Sequence, residues 1–121
     1  MKNLILAVLL GLLVSDVVKA QIPSLIEIEK SIEKAETYQE KAALCIQFSK
    51  QLFASDLGLS MDIATDAIIY ADKAKDSELL IRANNNVGNL SRLEGNLQLA
   101  NQYYRKALDK GKCNVNDQLL G

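Results

Sequence analysis

A stretch near the end of this chain repeats one near its middle at a spacing of 40 residues. Ser60–Leu80 reads SMDIATDAIIYADKAKDSELL and Ala100–Leu120 reads ANQYYRKALDKGKCNVNDQLL, which sets Ala67 against Ala107, Ile68 against Leu108, and Asp76–Leu80 against Asn116–Leu120. A unit recurring at such a period is one supersecondary element that buries its apolar face by stacking on the next copy. The chain is thereby held to a quasi-linear array. Arrays built from helical pairs work by presenting a long surface to a partner, so the repeat points to binding rather than to chemistry.

Within the unit the apolar period is helical. Ser24 followed by Glu27 is a capping box, and Leu25, Ile28, Ile32 and Ala35 recur at spacings of three and four, so a first helix is predicted over about 25–36. Thr37 with Glu40 opens a second over about 38–54, whose apolar face holds Leu44, Cys45, Phe48 and Leu52. Ser55-Asp56 breaks the pattern and Gly58 follows, which places a third over about 59–75 with Ile63, Ala67, Ile68 and Ala71 inward and Tyr70 beside them. Asp76-Ser77 caps a fourth over 77–93, Gly95-Asn96 turns the chain, and a fifth over 97–110 is expected to stop at Gly111. Pro23 is the sole proline, and no β-alternation or Asn-Gly hairpin occurs. The class is all-α, in antiparallel hairpins with short connections.

The first twenty residues stand apart. Lys2, the unbroken apolar run Leu4–Val14 and the small residues around Val18-Lys19-Ala20 read as a cleaved secretory leader, and the run is shorter than the about 20 apolar residues of a membrane span. The protein is therefore expected to be exported, periplasmic or extracytoplasmic, with membrane attachment only through an uncleaved leader or a segment outside this sequence. Without residues 1–20 the chain holds 12 basic and 14 acidic side chains, a balance that gives no pull toward phosphate backbones and disfavours nucleic acid as a partner. Cys45 and Cys113 are the only thiols. Cys45 is expected to act as a small hydrophobe in a helix face rather than to bridge to Cys113, which lies in the other repeat.

The residues of the fourth and fifth helices resemble the tetratricopeptide repeat (TPR), a helix-turn-helix whose signature W-x2-L-G-x2-Y and A-x3-F marks close-packed places. Asn84 stands in the Trp place, Val87 in the Leu place, Gly88 is the Gly, Ser91 stands for the Tyr, Ala100 and Tyr104 fill the second half, and Ala107 follows as a small residue. Asn84 and Ser91 depart from the pattern, as does Lys112 where a proline often ends the unit. In the earlier hairpin Phe48 takes the Gly88 place, Ser60 the Ala100 place and Ala64 the Tyr104 place, with Ala67 retained. The resemblance covers about residues 38–120. It implies a right-handed solenoid divided into a leader at 1–20, an N-terminal capping helix at 21–37, a degenerate hairpin at 38–76, a TPR hairpin at 77–116 and the opening of a third repeat at 117–121. The layout is also similar to the start of the extracytoplasmic sensor regions of bacterial histidine kinases built on such repeats.

No histidine and no tryptophan occur, which removes the commonest general base and metal ligand. There is no phosphate loop, paired-cysteine motif or nucleophile elbow, so no catalytic residue, metal or cofactor is expected. A binding face is expected instead. Arg82, Asn85 and Asn89 share one side of the fourth helix, with Arg92 at its edge and Asn96 extending it in the turn, while Ala83, Val87 and Leu90 face inward. The resemblance puts that side in the concave groove, where an Arg fork with carboxamides suits a peptide backbone or carboxylate. The expected role is a non-catalytic peptide- or protein-binding module of a larger signal-transduction protein. The alternative is a free-standing structural repeat protein that self-associates through the helix at 97–110, whose Leu99 and Tyr103 are expected to form the open face.

Overall fold

The computed structural model describes residues 23–120, of which 113–120 by their backbone. The leader expected at 1–20, the sulfur of Cys113 and Gly121 lie outside that description. Five α-helices follow one another: α1 (Leu25–Lys34), α2 (Tyr38–Leu52), α3 (Leu57–Ala74), α4 (Ser77–Leu93) and α5 (Leu97–Leu120). No strand occurs among the described residues.

Each helix starts on a side chain suited to satisfying its first free N–H groups. At α1 the capping box is reciprocal, with Glu27 N donating to Ser24 Oγ at 3.3 Å and Ser24 N to the Glu27 carboxylate at 3.2 Å. Thr37 caps α2 by accepting from Glu40 N at 3.1 Å, but the Glu40 carboxylate reaches the N–H of Glu36 rather than that of Thr37. Asp56, Asp76 and Asn96 do the same work for α3, α4 and α5, each accepting from the backbone N–H three residues on, at 3.0, 3.1 and 3.1 Å.

Four boundaries differ from the sequence expectation by two residues or more: α1 ends at Lys34 and α2 at Leu52, each two residues early, and the start of α3 and the end of α5 also shift. The Asp56 cap starts α3 at Leu57, so Gly58 lies in its first turn and is not part of a connecting loop. Helix α5 runs through Gly111 to Leu120. Glycine permits a left-handed stop without imposing one, and with Lys112 where a proline would forbid continuation, nothing compels the helix to end. The turn that does demand glycine is at Gly95, whose φ is +85°.

Connections of two to four residues make successive helices antiparallel neighbours. Helix α2 packs on α3, α3 on α4 and α4 on α5, with α2 also touching α4 across the stack and α1 closing on α2. One apolar cluster joins Ile28 of α1, Ala42, Cys45, Ile46, Phe48 and Leu52 of α2, Ile63, Ala67 and Ala71 of α3, and Leu79, Leu80 and Ala83 of α4. A second joins Ala64 to Val87 and Leu90, with Tyr103 against it. The expected stripe of α1 is only partly used: Ile28 is buried and Ile32 half-buried, but Leu25 stays 48 % exposed. Burying the two clusters supplies most of the stability, since isolated helices of this length are marginal in water.

Candidate functional site

Helix α4 divides into three faces. Leu79, Leu80, Ala83, Val87 and Leu90 are buried, as the spacing predicts, and cover the surface of α2 and α3. Gly88 meets α5: a Cβ there would come within 2.6 Å of the Tyr104 ring, so only glycine lets this aromatic lie against the helix backbone. The remaining face carries Arg82, Asn85, Asn89 and Arg92, all exposed. Their side chains share one side of the molecule, as expected. Asn89 is not wholly free, because its Oδ1 accepts from the Tyr104 hydroxyl at 2.6 Å. Asn96 is exposed as well, but its carboxamide oxygen is engaged as the cap of α5. That bond fixes the start of α5 and leaves the Asn96 Nδ2 group exposed beside Arg92.

Beside this face runs a groove of about 770 Å³ between α4 and α5, lined by Ile81 and Asn85 on one side and by Tyr104, Ala107, Leu108, Gly111 and Lys112 on the other. The open apolar residues here differ from those expected. Tyr103 packs inward against the cluster of Ala64, Val87 and Leu90, and Leu99 is half-buried. Leu108, expected to fill space beside Ala107, instead remains 58 % exposed at the groove wall. The reason is the register of α5: Tyr104, Ala107, Leu108 and Gly111 recur at spacings of three and four and so form one stripe, one position away from that of Tyr103.

Three asparagines in a row at Asn84–Asn86 lower helix propensity, and each is used differently. Asn85 faces the groove. Asn86 is buried and donates to Ser49 Oγ of α2 at 2.6 Å, Ser49 Oγ donates to Ile46 O at 2.8 Å, and Ser60 Oγ of α3 donates to Ser49 O at 2.6 Å. This polar chain ties three helices together inside the apolar core. Asn84 is buried too; it donates to Leu80 O of its own helix at 2.8 Å, while its Oδ1 has no partner. Asn84 also lines a smaller cleft of about 450 Å³ with Ile68, Leu80, Lys106, Asp109 and Lys110.

Ionisable groups offer little chemistry. Burial, reinforced by Asp66 and opposed by Lys41, pushes the Cys45 thiol up to about 12, which keeps it protonated and unreactive at neutral pH. Burial and the neighbouring Asp62 push Asp66 up from the usual carboxylate range. No group of side chains suited to hold a metal ion occurs among the described residues, and no described helix is long and apolar enough to cross a membrane.

No protein-family model matches the chain, and neither a characterised protein nor a solved structure is significantly similar to it.

Proposed function

We propose that this chain is a non-catalytic module that binds a protein or peptide segment, built as the opening of a right-handed stack of TPR-like hairpins and acting outside the cytoplasm, in keeping with the leader-like residues 1–20. What supports the stacked arrangement is that the 40-residue spacing matches environment as well as residue type. Asp56 and Asn96 cap the second helix of each unit in the same way, and Ala67 and Ala107 are both buried. The observation that carries the binding role is the open groove of Ile81, Tyr104, Ala107, Leu108 and Gly111, flanked by Asn85 and continuous with the exposed side of α4. An apolar floor with a few polar groups at its edge is how proteins seat a peptide with both affinity and direction. Exposed apolar surface of this kind marks an interaction site.

A peptide library displayed on phage and selected on the full chain tests this reading. Selected sequences are expected to lose at least tenfold in affinity on Asn85→Glu or Leu108→Glu, and to be indifferent to Glu29→Lys on the exposed side of α1. Equal binding to all three variants would refute the groove as the site.

A further inference from the structure

We infer that one end of the helix stack, formed by the start of α1 and by the α2–α3 and α4–α5 turns, docks on a lipid surface, with its apolar tips entering the headgroup level of a bilayer. This contact is separate from the groove, which lies on the side of α4 and α5.

The warrant is where the exposed apolar bulk falls. Successive helices are antiparallel, so the start of α1, the end of α2, the start of α3, the end of α4 and the start of α5 lie at one end. Among the described residues eight large apolar side chains are strongly exposed. Five of them, Leu25, Ile26, Phe53, Leu93 and Leu97, stand in a first turn, a last turn or a cap at that end, between 45 % and 63 % exposed. The other three are dispersed. Tyr38 opens α2 at the opposite end, where it stacks on Tyr70 with Lys73 over its ring, and Ile69 and Leu108 lie inside α3 and α5. That opposite end otherwise exposes charge, as Lys34, Glu36, Glu40, Lys73, Lys75 and Glu78. The molecule is thus polarised along its helix axes. Phe53 and Leu93 are 40 residues apart, as are the half-buried Leu57 and Leu97, so each hairpin repeats the same apolar tips at its turn.

The occupant follows from the form of this end and from the chain that enters it. Its tips project from separate turns, and none of them lines the groove or the cleft beside Asn84. A fluid surface takes up each tip independently, whereas a protein partner needs a shaped socket for each. The apolar run Leu4–Val14 joins the fold at this same end, through Pro23 and Ser24. The stretch from Val14 to Pro23 reaches at most about 30 Å, so a bilayer that takes up the run brings this end to its surface. The turn backbones are already paired, with Ser55 and Asp56 N donating to Leu52 O, Gly95 N to Arg92 O and Asn96 N to Ser91 O, which lowers the cost of meeting headgroups. Glu27, Asp56 and Glu94 against Lys50 and Arg92 leave no basic excess here. Contact therefore depends on apolar burial rather than on attraction to anionic lipid, and the Lys50 and Arg92 stems can lie along the surface with their charged heads in water.

The chain has no tryptophan, so a single introduced one reports on its own surroundings. Five variants of the full chain, Leu25→Trp, Phe53→Trp, Leu97→Trp, Tyr38→Trp and Leu108→Trp, are mixed with phosphatidylcholine vesicles whose acyl chains carry bromine, and compared with vesicles that lack it. Each position is exposed, so circular dichroism should not change, and Phe53→Trp and Leu97→Trp report independently should one of them fold poorly. Bromine is expected to quench Leu25→Trp, Phe53→Trp and Leu97→Trp at least twofold, with a blue shift that persists at high salt, and to leave Tyr38→Trp and Leu108→Trp unchanged. Quenching confined to Leu25→Trp would mean that residues 1–22 alone hold the chain at the vesicle, and would overturn the inference. Equal quenching at all five positions, or none at any, would overturn it too, as would quenching abolished by salt. Emission from Phe53→Trp and Leu97→Trp that is already blue-shifted without vesicles and insensitive to bromine would make the occupant residues 1–22 or, where sedimentation shows a dimer, a second copy. Either result refutes the lipid contact.

Discussion

The two hairpins place bulk on opposite helices. At one position of the unit the first hairpin has Phe48 and the second Gly88; at another the first has Ala64 and the second Tyr104. All are buried or half-buried. The aromatic has changed sides, so the unit keeps a volume rather than a residue, as close-packed interiors require. A second contrast lies outside the hairpins. The outer surface of the first is covered by α4, and the corresponding surface of the second is the groove. The same scaffold therefore carries a covered surface in the first hairpin and, among the described residues, an open one in the second.

The largest test of this contrast is at Gly88. Gly88→Leu puts its Cβ within 2.6 Å of the Tyr104 ring and should destabilise by about 3 kcal/mol or more, read as the midpoint of urea unfolding. The double variant Gly88→Phe with Tyr104→Ala recreates the arrangement of the first hairpin and should recover much of what Gly88→Phe alone loses. A strictly additive double-mutant cycle would show that the exchange of bulk has no energetic basis.

Next in size is Ser49→Ala. It leaves the buried Asn86 amide without its acceptor, at a cost of about 2 kcal/mol, whereas combining it with Asn86→Leu removes both polar groups and should restore part of the loss. The equivalent change in the second hairpin, Asn89→Ala, removes an exposed bond and should shift stability by less than about 1 kcal/mol. Similar costs at Ser49 and Asn89 would erase the distinction between the covered and the open surface.

How much of this the sequence foretold depends on the range of the interaction. Ser24 with Glu27, Asp76 and Gly95-Asn96 act within a few residues, so their caps and turn could be read directly, and five helices followed. The amphipathic division of α4 was legible for the same reason, since Arg82, Asn85 and Asn89 against Ala83, Val87 and Leu90 is a matter of helical period. The Asn86–Ser49 bond spans 37 residues, and nothing local distinguishes Asn86 from Asn85. The open stripe was misplaced by one position because Tyr103 and Tyr104 are adjacent aromatics of the same kind, and only the packing around Ala64 shows which of them turns inward. Asn96, read as extending the exposed side of α4 in the turn, is exposed there and is also the cap of α5, a role that its place before a helix already marked.

The Cys45 thiol ties the covered surface to pH. In the folded protein its pKa is raised from 9.0 to about 12, chiefly by burial. Below pH 9 both folded and unfolded chains hold the proton, and stability is unaffected. Between the two values the unfolded chain has released it and the folded chain has not, so stability falls as pH rises, by up to about 1.4 kcal/mol per unit. Denaturant midpoints measured from pH 8 to 10 should decline in the wild type more steeply than in Cys45→Ala. Asn85, its counterpart in the open groove, has no ionisable proton, so Asn85→Ala should leave the slope as it is. Parallel slopes for wild type and Cys45→Ala would mean that the thiol is better solvated than its complete burial implies.

The smallest expected effect concerns Asn84. Its amide donates to Leu80 O, while its oxygen is buried without a partner; the residue also lines the cleft of Lys106, Asp109 and Lys110. An unpaired buried acceptor carries a desolvation cost, and the donor it accompanies is matched only to a carbonyl already within the helix. The counterpart in the first hairpin is Leu44, a half-buried apolar side chain packed on the main cluster. Asn84→Leu makes the second hairpin like the first at this one place, removes the orphaned oxygen and raises helix propensity, and should stabilise the protein by about 1 kcal/mol. Thermal unfolding monitored by circular dichroism reads the change. A fall in stability would mean that the oxygen is paired in solution, by water or by one of the two lysines, and that the second hairpin uses a polar contact where the first uses packing.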